Sequence, residues 1–310
     1  MSNQKPPFSE LFEPTILFPD VDMKDRFDLL VGLDDKKERM SKILGLLVNS
    51  TGLNIWLEKF HPEGRSAFNT ILRRPPLIIL AGDVGAGKSE LAYTIGDTVA
   101  RKENIDIELF PLSLSTRGQG RVGEMTQLIS AAFDYTLEKA KKLKGETKSN
   151  GAVILLVDEA DALAQSRENN QMHHEDKAGV NAFIRGIDSL GNGKLPAAVI
   201  MCTNRPESLD PAIKRRAAEI FIFTRPNEEQ REKVLMQPLS ELGIDTATIN
   251  EIVKITGPTE NRKYGLTYSD IMQRLIPTIV LDAYPENGVT NESAVRIAKS
   301  IIPTQPFNEN

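Results

Sequence analysis

The chain has 310 residues, 40% of them hydrophobic and 26% charged, a balance that suits a globular protein and argues against disordered and fibrous classes. Its 43 acidic and 38 basic side chains leave a net charge of −5, which gives no overall footprint for nucleic acid. A lone cysteine, Cys202, excludes an internal disulfide, and the histidines at 61, 173 and 174 lack zinc-ligand spacing. No apolar run approaches the ~20 residues of a membrane-spanning helix, and the opening MSNQKPPFSE has no secretory pattern, so a cytoplasmic location is expected.

In chain order, residues 1–26 contain Pro6, Pro7, Pro14 and Pro19 among irregular apolar positions and read as an N-terminal arm. Short β-rich runs follow at Leu77–Leu80, Ile105–Phe110, Val153–Val157, Ala197–Cys202 and Ile220–Phe223, separated by helical patterns. That alternation predicts an α/β domain over 27–225, with a five-stranded parallel sheet covered by helices. Helical segments at Glu228–Leu242, Thr248–Thr256, Thr267–Ala283 and Asn291–Ile301 then predict a small helical lid over 226–302, and 303–310 reads as a polar tail.

Directly after the first of these strands stands GDVGAGKS: Gly82, Asp83, Val84, Gly85, Ala86, Gly87, Lys88 and Ser89, with Glu90 next. It matches G-x-x-x-x-G-K-[ST] between strand and helix, the context of a phosphate-binding loop. Glycines let successive N–H groups face phosphate, Lys88 can meet the β and γ phosphates of ATP, and the Ser89 hydroxyl can ligate magnesium (Mg2+). Further on, GAVILLVDEADAL delivers Asp158 and Glu159 from an apolar strand. Asp158 can hold magnesium through water, and Glu159 can deprotonate an attacking water. An acidic helix cap is the bland alternative for that pair. The next strand ends at Thr203 and Asn204, where the amide can fix the same water or simply make a turn. LDPAIKRR then places Arg215 and Arg216 after a short helix, either as solvated cations or as an arginine finger for a neighbouring subunit.

The order GDVGAGKS, VDEADAL and MCTNRPESLDPAIKRR, with FDLLVGLDDKKERMSKIL before it and YGLTYSDIMQRL after it, resembles the AAA subgroup of AAA+ ATPases, P-loop NTPases with a C-terminal α-helical lid. The resemblance implies a homo-hexamer binding ATP and Mg2+, with Lys88, Ser89, Asp158, Glu159 and Asn204 at the nucleotide. It implies a finger at Arg215 or Arg216, and adenine beside the backbone of Val31 and Gly32. DKAGVNAFIRGIDSL and SLDPAIKRRAAEIFIF are similar to the remodellers called pachytene checkpoint or thyroid-receptor-interacting protein, which unfold part of HORMA-domain proteins. Bacterial relatives of that group accompany HORMA proteins and nucleotide-second-messenger synthases in antiphage defence.

The same resemblance places a first substrate pore loop at TRGQGRVGEMTQL, where Arg121 and Val122 replace an aromatic and an apolar residue. The position where those relatives place a sensor-two arginine is Ser269 here, a departure that leaves Arg274 as the substitute. A protein partner is therefore expected, with neither nucleic acid nor membrane. The competing reading is a clamp-loader or initiator-type ATPase acting with DNA, for which the run Lys139, Lys141, Lys142, Lys144 and Lys148 supplies charge.

Overall fold

A computed structural model describes residues 6–113, 124–145, 148–164, 174–191, 195–260 and 262–306. The chain divides into two compact units, one made of residues 1–28, 35–81 and 89–222, the other of 29–34, 82–88 and 223–310.

In chain order the elements up to residue 223 are α1 (Phe8–Leu11), β1 (Ile16–Phe18), α2 (Val21–Asp28), α3 (Asp34–Val48), α4 (Thr51–Phe60), α5 (Arg65–Leu72) and β2 (Leu77–Gly82). They continue with α6 (Lys88–Glu103), β3 (Ile107–Ser113), α7 (Glu124–Leu143), β4 (Ala152–Asp158), α8 (Asp161–Ala164), α9 (His174–Leu190), β5 (Ala197–Thr203), α10 (Pro211–Lys214) and β6 (Ala217–Phe223). The sheet order is β1-β3-β4-β5-β2-β6. β3 pairs with β4, β4 with β5 and β2 with β5, all parallel, which is why these strands read as continuous apolar runs rather than alternating ones. β5 is buried at every position and β4 at every position before Asp158.

The five expected strands are thus all present, and β1 adds a sixth that pairs antiparallel with β3, Leu17 opposite Glu108. Prolines at 14 and 19 flank this three-residue strand, as suits an edge position. Just before it, Phe8 and Phe12 pack against Phe110 with ring centroids 5.1 Å away in each case, and both rings also meet Tyr135. β3 runs on through Pro111 to Ser113, beyond the expected end at Phe110. Proline is tolerated there because β1 pairs only as far as Leu109, so no ladder bond on that side needs its missing N–H.

The second unit carries α11 (Glu228–Glu241), α12 (Thr246–Ile255), a π-helical turn (Asp270–Leu275), α13 (Ile276–Ala283) and α14 (Asn291–Ser300). Its core gathers Leu235, Leu239, Ile249, Ile252, Ile271, Leu275, Ile279 and Ala294. Asn227 and Gln230 form a capping box at the start of α11, and Thr290 with Ser293 form another at α14.

In the first unit α7 and α9 lie against each other where Gly186 faces Phe133: a Cβ at 186 would stand 2.2 Å from that ring. Alanine gains about 1 kcal/mol over glycine in a helix, but overpacking a core typically costs about 1–3 kcal/mol. Gly186→Ala should therefore lower the thermal unfolding midpoint, whereas the propensity gain alone would raise it.

Candidate active site

The phosphate-type loop lies wholly in the second unit up to Lys88. Gly82 has φ +138°, and a Cβ there would fall 2.0 Å from the Phe223 carbonyl oxygen, so only glycine fits. Gly85 has φ +67°, and a Cβ would meet the Thr267 hydroxyl at 2.7 Å; the Gly85 carbonyl accepts the Ser269 N–H at 3.1 Å. Lys88 is buried and its Nζ donates to the carbonyls of Gly82 (2.9 Å) and Asp83 (2.6 Å). The ammonium is thus held inside the loop it serves. Asp83 accepts the Val84 N–H at 2.9 Å through Oδ1, and Ala86 is buried. Gly87 lies against Leu33, whose Cδ1 is 3.3 Å from where a Cβ would stand.

In the same unit the Gly32 carbonyl accepts Nε2 of Gln230 at 2.7 Å, while Oε1 of Gln230 closes the α11 capping box at 3.0 Å. The cap orients the amide that fixes the Val31–Gly32 segment, where Val31 donates its N–H to the Leu29 carbonyl. Tyr268 stands beside Gly32, 3.1 Å from a would-be Cβ, its hydroxyl buried without a hydrogen-bond partner among the described residues. Burial pushes its phenol up to about 12, so it stays a protonated donor at neutral pH. Ser269 donates its hydroxyl to Gln273, and Arg274 goes to Asp270 (2.8 Å) and the Ile302 carbonyl (3.0 Å), a tie within this unit.

In the first unit, the Ser89 hydroxyl donates to Asp158 Oδ1 at 3.1 Å, bringing together the two residues expected to share a metal. Burial raises the Asp158 carboxyl above its ordinary value, against hydrogen bonds from the Glu159 N–H, Ser89 and Cys202 that favour the anion. Glu159 has φ +50°, a left-handed conformation that few non-glycine residues adopt and that recurs at active sites. Glu90 is held by Arg26 through two bonds of 2.7 and 2.8 Å.

The register Val157↔Met201 puts Asn204 at the same sheet edge as Asp158. Its backbone N–H and Nδ2 both bind Asp161, at 2.7 and 3.1 Å, and the Thr203 hydroxyl adds a bond of 2.8 Å to the same carboxylate. Arg216 makes a bidentate pair with Asp188 at 2.7 and 2.9 Å. Arg215 is exposed, and among the described residues its side chain makes one 3.4 Å bond, from Nε to the Pro211 carbonyl. In the basic run, Lys139 pairs with Glu108 and Lys148 donates to the Asn104 carbonyl, ordinary structural uses. Arg121 and Val122 lie outside the described residues.

In the second unit, glycines that admit no Cβ and a buried ammonium suit the phosphates of a nucleotide; in the first, Ser89 and Asp158 offer oxygen ligands of the kind a hard cation such as magnesium selects. Residues 78–225 match the family model for the AAA ATPases, the ATPase family associated with various cellular activities. The chain belongs to that family. Over 98% of both chains it is 62% identical to CD-NTase-associated protein 6 of Escherichia coli (strain MS 115-1). A chain of the solved E. coli MS115-1 HORMA:CdnC:Trip13 complex matches with a TM-score of 0.91 and 61% identity, covering 98% of this chain and all of that one. The solved Rhizobiales Trip13 matches with a TM-score of 0.75 and 52% identity, covering 96% and 100%.

The sequence alone assigns no role to Asp161, Gln230 or Tyr268. Gln230 was visible only as the third residue of an Asn-x-x-Gln helix start, and Asp161 was hidden inside the Asp-Glu-Ala-Asp string. Asp161→Ala leaves the Asn204 and Thr203 donors unpaired and should lower stability by about 1–3 kcal/mol. Asp161→Asn, whose Oδ1 still accepts, should lose less; equal losses in thermal unfolding would mean the carboxylate position is not what holds this segment.

Proposed function

We propose that this chain is a homo-hexameric ATPase that uses ATP hydrolysis to unfold part of a HORMA-domain protein, and so regulates antiphage signalling. The chemical part of the reading is carried by the Ser89–Asp158 hydrogen bond at the end of β4, one residue beyond the lysine of the phosphate loop. The partner is suggested by the close similarity to a chain solved together with HORMA and CdnC.

The glycine-flanked N–H groups and Lys88 bind the triphosphate, while Val31, Gly32 and the Tyr268 hydroxyl meet the adenosine end. Ser89 and Asp158 hold magnesium, which when bound neutralises phosphate charge. Asn204, fixed by Asp161, orients a water, and Glu159 accepts its proton as the water oxygen bonds the γ-phosphorus and the bond to the bridging oxygen breaks. The products are ADP and phosphate. Between the two finger candidates, Arg216 is occupied by Asp188 of its own chain, so Arg215 is the one to reach a neighbour's γ-phosphate. Pore residues Arg121 and Val122 would handle an acidic or polar segment of the substrate.

Lys88→Ala should abolish tight ATP binding. Glu159→Gln should keep binding but slow turnover by about 10²–10⁴-fold. Normal turnover in Glu159→Gln would remove it as the base.

Arg215→Ala should cut turnover by about a thousandfold or more with binding retained, and Arg216→Ala far less. Mixing Arg215→Ala with Lys88→Ala subunits should restore part of the activity, because one supplies the site and the other the finger. Absence of recovery in demonstrably mixed rings would contradict a shared site.

A further inference from the structure

Asp83 is fixed from four sides. Its N–H donates to the Phe223 carbonyl at 3.0 Å, its own carbonyl accepts Lys88 Nζ at 2.6 Å, and Oδ1 accepts the Val84 N–H at 2.9 Å. Oδ2 receives Nε of Arg225 at 2.5 Å. This ion pair is 11% and 18% exposed on its two sides, so solvent and salt screen it far less than a surface pair.

Arg225 has further attachments. Nη1 donates to the Gly265 carbonyl at 2.8 Å, Nη2 donates to the Thr304 carbonyl at 2.7 Å, and the guanidinium lies 4.5 Å from the Tyr264 ring centroid. A planar fork can meet these separate acceptors at once; an ammonium cannot. Thr304 is itself anchored, its N–H and hydroxyl donating to Asp270 at 3.0 and 2.7 Å. Asp270 is buried and also takes Arg274, which reaches on to the Ile302 carbonyl. Burial alone would raise the Asp270 carboxyl, but the bonds from Thr267 and Thr304 outweigh it and hold it below the usual carboxylate value.

We propose that residues 302–306 are a strap that positions the phosphate loop: clasped by Asp270, the strap seats Arg225, and Arg225 through Asp83 sets the carbonyl that holds Lys88. The inference rests on the reading of this loop as the ATP site. Arg225 is a positioning residue, since it touches Asp83 rather than phosphate. Releasing the strap loosens Lys88 and weakens nucleotide binding from a point that never meets the ligand.

The test measures Kd for a fluorescent ATP analogue, and KM and kcat for ATP, in the full chain and in Arg225→Gln, Arg225→Lys, Thr304→Val and Thr304→Pro, with thermal unfolding as a check on folding. Arg225→Gln should weaken binding about tenfold, as expected for losing a bond to a charged partner, with Arg225→Lys in between. Thr304→Pro removes both bonds to Asp270 and should weaken binding roughly three- to tenfold, Thr304→Val less, through a rise in KM rather than a fall in kcat. The double variant Arg225→Gln/Thr304→Pro should bind no worse than Arg225→Gln alone, because both act on one path. If the parent chain binds and Lys88→Ala does not, yet Thr304→Pro and Thr304→Val bind as the parent does, the strap is refuted and the ATP site stands. If the parent itself fails to bind ATP, or Lys88→Ala binds equally well, the site assignment falls and the strap with it.

Discussion

The chemistry in the first unit depends on one constraint: β4 is buried along its apolar length and locked between β3 and β5, so the carboxylate at its end has a single position. A strand with parallel neighbours on both sides cannot slip by one residue without turning its buried set of side chains over. Asp158 therefore arrives opposite Ser113 of β3 and within hydrogen-bond reach of Ser89. Glu159, at positive φ, is turned out of the strand immediately afterwards, and the Ala160 N–H is recaptured by the Cys202 carbonyl at 2.9 Å. Two adjacent carboxylates are thereby given different environments, as their proposed roles of metal ligand and base require.

The second unit solves a different problem, how to keep a glycine-rich loop in one shape. Glycine gives the loop its conformations and takes away any side chain that could hold them. The stabilising contacts come instead from the surrounding backbone and from Asp83: the Phe223 carbonyl, the Ser269 N–H and the Arg225 guanidinium. The amide of Gln230 does the same for Gly32, borrowing its orientation from a helix cap. Within this unit the glycine-rich loop and the Val31–Gly32 segment are thus each held by hydrogen bonds from residues at or beyond Phe223.

Much of this was legible in the sequence, for a physical reason. Phosphate, metal and hydrolytic water each demand a particular residue type at a fixed place along a contiguous stretch, so Lys88, Ser89, Asp158, Glu159 and Asn204 stand out as candidates, and the structure pairs Ser89 with Asp158. The buried parallel strands did so too, because an apolar run of that length has few other uses. What was not legible depends on partners distant in sequence. Arg225 read only as a domain boundary, Asp161 as one letter of a motif, and β1 as part of a proline-rich arm, although β3 and a cluster of aromatic rings hold that segment. Arg215 and Arg216 are neighbours that comparison by motif leaves equivalent; what differs between them is a partner distant in sequence, Asp188, which accepts a bidentate bond from Arg216.

The most direct test of the account is the rate of magnesium-dependent ATP hydrolysis by the purified chain, alone, with a HORMA-domain protein and with DNA, alongside hydrogen exchange of the HORMA protein. The HORMA protein alone should raise the rate, and part of it should lose exchange protection only while ATP is hydrolysed. A rate raised by DNA and indifferent to the HORMA protein, with its protection unchanged, would contradict it.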